Sequence, residues 1–232
     1  MSELLNEQYN SVFSTPDPTM TIKYPKDFFG HPQRNTLSDI NITREDIIDA
    51  IKTISQNSSG GPDEFPVILL KQCSKSLAHP LQLVYKASLK TGEIPTDIKQ
   101  AIIIPIYKGG SKNYRLVALT SHLIKILEKI LAKNIHQFLE MHQKMNPKQH
   151  GFCSGRSCLS QLLEHHNKIE ELEKSNNVDV IYFDFSKAFD KVDHGILLNK
   201  LKKKLELMVK SVCGYTIFYQ TDNNVLPSME QH

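Results

Sequence analysis

The apolar positions of the chain alternate between helix-like and strand-like spacing over most of its length. After Thr43, a suitable N-cap with Asp46 at the third helical position, isoleucines recur every three or four residues. A second helical pattern covers residues 66–90, with an interruption predicted near Pro80 and Gly92 at the position of a C-terminal cap. Two helical regions, separated by a turn rich in serine and glycine, are therefore predicted in the first third of the chain.

The middle of the chain has the pattern of a β-hairpin followed by a long amphipathic helix. Residues 101–107 are rich in isoleucine and too few for a typical helix, and residues 116–119 are the predicted partner strand across the glycine pair after Lys108. Ser121 then opens the helix with the clearest apolar stripe in the chain. The pattern predicts two short antiparallel strands ahead of this helix.

The remaining segments repeat the alternation of helix and strand. Residues 158–174 and 193–205 have apolar residues at helical spacing, and residues 178–185 between them are β-branched and aromatic. Such alternation predicts a mixed α and β fold. Residues 1–35 contain several prolines and little periodicity, which predicts an extended or mobile N-terminal arm.

Charge is distributed unevenly, although the formal net charge of the chain is only +3. Residues 71–133 contain eleven Lys or Arg and three acids, whereas residues 1–70 contain five Lys or Arg and ten acids. A basic segment of this kind suits a polyanion, because Lys and Arg contacts to phosphate release counterions. A solvated helix face explains the same charges without any partner.

Several classes of protein are disfavoured by what the sequence lacks. No apolar run approaches the ~20 residues of a membrane span, and no signal-peptide core is present, so we expect a soluble, intracellular protein without a membrane partner. The four cysteines form no CxxC pair and the histidines no HExxH motif, so we expect reduced thiols and no structural metal. The turn at residues 109–112 lacks P-loop spacing, and no glycine-rich cofactor loop follows a strand, which disfavours an unrelated small-molecule α/β enzyme.

One acidic residue occupies a position typical of catalytic metal ligands. Asp184 lies at the C-terminal end of the predicted strand of residues 178–185, where a carboxylate is presented rigidly to a cleft. Polymerases use such carboxylates because two magnesium ions with hard oxygen ligands must hold the triphosphate and the primer 3′-oxygen in line. A turn residue or helix cap is the competing interpretation of a lone Asp after a strand.

Four stretches of the chain resemble, in order, blocks of the reverse transcriptase domain of non-LTR retrotransposons, jockey-like or related. They are Gly61-Pro62-Asp63 with Leu69-Leu70-Lys71; residues 103–108 with Asn113-Tyr114-Arg115 and Leu119-Thr120-Ser121; Gln149-His150-Gly151-Phe152 with Ser154-Gly155-Arg156-Ser157; and residues 184–190 with Val192-Asp193-His194. One match would be weak, but four in order are specific. The resemblance covers residues 36–205 and implies an α+β fold: a partial polymerase right hand, helix-rich, with fingers, a finger β-hairpin and the first part of an incomplete palm sheet.

The resemblance also implies roles for individual residues. Asp184 is implied to be catalytic and a ligand of Mg²⁺, with the backbone carbonyl of Phe185 completing its side of the metal site. Phe189 occupies the position whose ring excludes a ribose 2′-hydroxyl, although a buried core phenylalanine explains it too. Lys108 and Arg115 match the finger residues that bind the incoming deoxynucleoside triphosphate, although exposed hairpin cations explain them as well.

Further residues are implied to lie near an RNA template, a DNA primer or the nucleotide. Gly151, Gly155 and Arg156 have that position, but a loop before a helix explains the glycines without a ligand. Asp190 and Asp193 are weaker candidates as metal ligands, because helix capping and local hydrogen bonding explain them about as well.

The sequence departs from the family in three ways. Leu116 stands where the family usually has Pro, and Cys153 where it has Arg. After the first catalytic block the chain contains no aromatic-Ala-Asp-Asp motif and no Asp-Asp pair anywhere, and residues 206–232 resemble nothing in the family. Because that motif supplies the second metal-holding carboxylate, the two-metal site cannot be assembled as the family builds it. We expect a reverse transcriptase fragment that is inactive alone, or a non-catalytic nucleic-acid-binding remnant.

Overall fold

The structure, a computed structural model, describes residues 37, 40–109, 114–174, 177–186, 188, 191–193, 195–197 and 201. These residues form four helices, one two-stranded antiparallel sheet and two further helices. In chain order they are α1 (Arg44–Lys52), α2 (Val67–Gln72), α3 (Ser74–Thr91), α4 (Thr96–Lys99), β1 (Ala101–Tyr107), β2 (Tyr114–Thr120), α5 (His122–Met141) and α6 (Cys158–Glu173). The mixed α and β fold is confirmed. The predicted arm of residues 1–35 and the tail of residues 206–232 lie outside the described residues.

The hydrophobic core is helical, with α1 packed against both α3 and α5. Apolar side chains at three- and four-residue spacing form one stripe on each helix, and these stripes pack against one another. The largest fully buried side chains are Tyr85, Ile42, Ile47, Ile51, Leu70, Ile124, Ile126 and Leu127. Among the described residues none after Phe138 is buried, so their core lies within residues 40–138.

Helix α1 begins at the predicted capping box. The Asp46 backbone N–H donates to Thr43 Oγ1 at 3.1 Å, and the Thr43 backbone N–H and hydroxyl donate to Asp46 Oδ2 at 3.1 and 2.6 Å. The bond from the Thr43 side chain is the main cause of the lowered pKa of Asp46. Because the pKa is lower in the folded state, this carboxylate stabilises the fold at neutral pH, and the stabilisation is lost as the pH falls.

The second helical region is interrupted at a different residue from the one predicted. The break lies at Cys73, which separates α2 from α3, and Pro80 lies inside α3. Proline removes one backbone donor from the helix, but packing of Ala78, Leu81 and Tyr85 against the core keeps the helix continuous through it. Gly92 caps α3 in the left-handed conformation, with φ 80°, as predicted.

The hairpin is confirmed and is longer than predicted. Seven residue pairs join β1 to β2, from Ala101 opposite Thr120 to Tyr107 opposite Tyr114. Ile102, Ile104 and Ile106 are exposed along one face of β1. Ser121 caps the following helix α5 by accepting the Leu123 N–H at 3.0 Å, as predicted.

The predicted helix over residues 158–174 is confirmed, but its apolar face is exposed. Ser157 and Ser160 form a capping box at the start of α6. Leu159, Leu162 and Leu163 are each more than half exposed, and no residue of α6 is buried.

The prediction of a strand over residues 178–185 is wrong. Residues 177–185 contain no strand, and the side chains of Tyr182, Phe183 and Phe185 are 78–85% exposed. A strand needs a neighbour for its backbone N–H and C=O groups, and within the described residues the sheet contains only β1 and β2.

The helix predicted over residues 193–205 is confirmed where it is described. Residues 195–197 and 201 are helical. The Ile196 N–H donates to Asp193 Oδ1 at 2.8 Å, so Asp193 caps the helix.

We predict that replacing Tyr85 by Phe destabilises the fold. The Tyr85 hydroxyl donates to the Leu123 carbonyl at 2.7 Å inside the core, and burial raises the pKa of this phenol above its usual range. Its removal leaves a carbonyl without that donor, which costs about 1–2 kcal/mol of unfolding free energy. Urea denaturation measures the change, with the part-exposed Tyr114→Phe as control; equal stabilities of the two variants would contradict the prediction.

Candidate nucleotide and nucleic-acid site

The hairpin is attached to the helical core by a tight contact at its base, between two of the family-like sequence blocks. A Cβ atom at Gly61 would lie 2.4 Å from the Ser121 nitrogen and 2.6 Å from the Thr120 carbonyl carbon. Only a glycine fits where these two backbones meet. The end of β2 is therefore fixed against the loop between α1 and α2.

Side chains on both sides of Gly61 reinforce this contact. The buried Ser121 hydroxyl donates to Asp63 Oδ2 at 2.5 Å, and Nδ1 of the buried His122 donates to the Phe65 carbonyl at 3.2 Å. A carbonyl only accepts, so Nδ1 carries the proton. The sequence indicated both blocks, but not that they contact each other. We call Gly61, Asp63, Ser121 and His122 the hairpin anchor.

The two candidate triphosphate ligands lie at the other end of the hairpin. Lys108 directly follows β1, and Arg115 is paired with Ile106, so Arg115 shares the exposed face of the three β1 isoleucines. Both cations are exposed. Neither forms an ion pair with a described residue, so both head groups are available to a phosphate.

Arg156 serves the loop in which it lies. Its Nη1 donates to the carbonyls of Pro147 and Gln149, the latter at 2.6 Å. Gly155 has φ 68°, and a Cβ atom at Gly151 or Gly155 would meet nothing within 4 Å. The alternative interpretation, a loop that precedes a helix, thus accounts for this arrangement, and a ligand role for these three residues stays a prediction.

The same loop is tied to both adjacent helices. His150 contacts Ser160 Oγ at 2.9 Å through Nδ1 and Glu164 Oε2 at 2.8 Å through Nε2, while the Ser154 N–H donates to Glu140 Oε1 at 3.3 Å. These contacts position the start of α6 relative to the end of α5. The sequence alone did not predict that His150 pairs with Glu164.

Asp184 is exposed. It forms no ion pair with Lys108 or Arg115, and a common cleft for the three residues stays a prediction. The Phe185 side chain is 80% exposed. Phe189 and Asp190 lie outside the described residues. Asp193 acts as a helix cap, in agreement with one of its two interpretations.

No cluster of metal-ligating side chains is assembled among the described residues. Nowhere among them do three His, Cys, Asp or Glu side chains lie together in a way that could hold a metal ion. Asp184 and the Phe185 carbonyl would supply two oxygen ligands, and Mg²⁺ normally takes its remaining ligands from waters, substrate phosphates or a further carboxylate.

The basic segment of residues 71–133 divides into two groups in the structure. Three lysines of α5, at four-residue spacing, contact the α1 region: Lys125 Nζ donates to the Ser59 carbonyl at 3.5 Å, Lys129 Nζ to Thr53 Oγ1 at 2.8 Å, and Lys133 Nζ to Asp46 Oδ1 at 3.4 Å. These charges join α5 to α1. The cations available to a partner are therefore found elsewhere in the segment.

Comparison with known proteins defines the class. A family described as "Reverse transcriptase (RNA-dependent DNA polymerase)" matches residues 106–225, slightly more than half of the chain. The chain belongs to the reverse transcriptase family. The match begins in β1 and extends into the tail, where the sequence by itself shows no family block.

Of the helices in the described residues, none has both the length and the hydropathy of a membrane span.

The relatives are proteins of mobile elements. The chain is 29% identical over 166 residues to the "Probable RNA-directed DNA polymerase from transposon BS" of Drosophila melanogaster, covering 68% of this chain and 18% of that protein. It is 24% identical over 212 residues to the "RNA-directed DNA polymerase from mobile element jockey" of the same fly, covering 87% and 23%. It is also 24% identical over 203 residues to the "Transposon TX1 uncharacterized 149 kDa protein" of Xenopus laevis, covering 84% and 15%. The chain is thus a reverse transcriptase domain of retrotransposon origin that spans about a fifth of these relatives.

We predict that Gly61→Ala destabilises the fold by about 2 kcal/mol, because the new methyl group collides with backbone that cannot move aside. Gly60→Ala is the matched control: its Cβ atom would meet its nearest neighbour, His122 Cε1, at 3.7 Å, an ordinary contact. Its effect should stay within about 1 kcal/mol. Chemical denaturation of both variants measures the difference, and a Gly61→Ala protein as stable as the control would show that the close approach is not required.

Proposed function

We propose that the chain supplies the fingers and the first part of the palm of an RNA-directed DNA polymerase. In this proposal Lys108 and Arg115 bind the phosphates of a deoxynucleoside triphosphate, and Asp184 is one of the carboxylates of the metal site. The observation that carries the proposal is the reverse transcriptase match over residues 106–225, which includes all three positions. RNA template and DNA primer are the partners it implies.

The geometry of the hairpin supports the assignment of the two cations. The hairpin anchor fixes its base, and the far end presents Lys108 and Arg115 without an intramolecular partner among the described residues. Arginine can donate two parallel hydrogen bonds to phosphate oxygens, and lysine supplies a compact charge. A rigid base with free cations at the tip suits capture of a polyphosphate.

The exposure of Asp184 supports a role as a ligand in a site that needs further carboxylates. A buried Asp held by several donors would suit a structural role, but Asp184 has no described hydrogen-bond partner. The sequence has no Asp-Asp pair to complete the family's site. We therefore propose that the 232-residue chain, taken alone, catalyses no nucleotide addition.

A second candidate function is nucleic-acid binding without catalysis. It is favoured by those described cations of residues 71–133, such as Lys75, Lys86 and Lys90, for which the described part of the chain offers no partner, because phosphate contacts by such residues bind nucleic acid of any sequence. The two candidates differ in whether Lys108 and Arg115 bind a nucleotide: that binding is essential to the first and irrelevant to the second.

We predict that the double variant Lys108→Gln/Arg115→Gln binds a fluorescent deoxynucleoside triphosphate at least about tenfold more weakly, since each charged hydrogen bond to phosphate is worth about 1.5–3 kcal/mol. Lys52→Gln/Lys168→Gln is the control: it removes the same charge from two exposed ion pairs, with Asp49 and Glu171. Equal losses in the two variants would mean that only net charge matters, and the hairpin assignment would be wrong.

We also predict that the chain extends no DNA primer on an RNA template with Mg²⁺ or Mn²⁺, and that Asp184→Asn is indistinguishable from it. Without the second carboxylate, several kcal/mol of transition-state stabilisation are missing. A complete reverse transcriptase in the same assay is the positive control. Extension by the unmodified chain but not by Asp184→Asn would refute the proposed inactivity and point to an acid in residues 206–232, such as Asp222, as the missing ligand.

A further inference from the structure

The outer side of α3 is basic and free of acids. This 18-residue helix contains Lys75, Lys86 and Lys90 and no Asp or Glu. All three lysines are exposed, and none of them forms a hydrogen bond or ion pair with another described residue. A solvated helix normally mixes charges of both signs, which can pair at four-residue spacing. Helix α3 has no acidic residue with which its lysines could form such pairs.

The three lysines lie along one side of the helix. Eleven residues separate Lys75 from Lys86, which is three turns and brings them to nearly the same angle, and Lys90 follows one turn later. The buried residues Ala78 and Tyr85 lie on a different side, against the core. The lysines extend over about 22 Å, at about 1.5 Å per residue.

A fourth cation lies in the interval between Lys75 and Lys86. Arg44, the first residue of α1, donates from Nη2 to Nδ1 of His79 at 3.0 Å, and both side chains are exposed. Since arginine only donates, His79 Nδ1 is the acceptor. The contact holds the guanidinium of α1 beside α3. We call Lys75, Lys86, Lys90 and Arg44 the α3 stripe.

The lysines of α5 differ from those of α3 because they have a structural role in the fold. Lys125, Lys129 and Lys133 are likewise three lysines of one helix, at four-residue spacing, yet each donates to an acceptor in the segment from Asp46 to Ser59. Their charges are explained by the fold. The three lysines of the α3 stripe have no such acceptor within the described residues.

We propose that the α3 stripe is a contact surface for the sugar–phosphate backbone of an RNA–DNA hybrid, separate from the hairpin cations and independent of base sequence. The inference rests on the proposed function for the identity of the partner. A straight row of about 22 Å spans several base-pair steps of a duplex, which measure about 3.4 Å each in double-stranded DNA. The surface holds the hybrid by counterion release and takes no part in the reaction.

The test compares two triple variants that remove the same charge. Lys75→Gln/Lys86→Gln/Lys90→Gln removes the lysines of the stripe, and Lys125→Gln/Lys129→Gln/Lys133→Gln removes those that join α5 to α1. Binding of a short fluorescein-labelled RNA–DNA hybrid is followed by anisotropy over a salt series. The stripe variant should reduce the magnitude of the slope of log Kobs against log salt by about 2–3, because each lost phosphate contact removes about 0.7–0.9.

The α5 triple variant should leave that slope unchanged and lower the thermal unfolding midpoint. Lys75→Arg/Lys86→Arg/Lys90→Arg, which keeps the charges, should retain the slope of the unmodified chain, and circular dichroism shows whether each variant is folded. Equal slopes for the stripe variant and the unmodified chain, or equal losses in both Gln triples, would overturn the inference. Either result would leave the proposed polymerase role standing, because that role depends on Asp184, Lys108 and Arg115.

Discussion

The close contact of Gly61 with the backbone of Thr120 and Ser121 is the constraint that fixes the hairpin to the helical core. It joins the loop after α1 to the junction between β2 and α5, so the direction in which the hairpin leaves the core is set there. The Ser121 hydroxyl both donates to Asp63 and accepts the Leu123 N–H, which couples this junction to the start of α5. A two-stranded hairpin is marginally stable alone, so its position depends on such an anchor.

Apolar surface is distributed in two very different ways along the chain. Up to Phe138, one stripe of apolar side chains on each of α1, α3 and α5 is buried against the others. After it, the leucines of α6 and the aromatic residues of 177–185 are exposed. The amino-acid types in the two parts are similar; the difference is that the first part contains the helices that cover one another.

For charged residues as well, the residue type does not determine the role. Lysines of α5 and α3 belong to one basic segment of the sequence, but the first set bonds to the α1 region and the second has no intramolecular acceptor among the described residues. Net charge over a segment therefore overstates the surface that a polyanion can contact. Position relative to the acceptors of a neighbouring helix decides which lysines remain available.

The sequence by itself determined the local elements and the family. The Thr43 capping box, the Gly92 cap, the hairpin, and the start of α5 at Ser121 follow from hydrogen bonds and periodicities that span only a few residues, and the four ordered blocks identified a reverse transcriptase. Tertiary structure decided the rest. Whether residues 178–185 pair as a strand depends on neighbouring strands, whether Pro80 interrupts a helix depends on the packing around it, and the contact of Asp63 with Ser121 joins residues 58 positions apart. Local patterns contain no information about such partners, because the energy of a strand, a buried helix or a long-range hydrogen bond resides in the groups it meets.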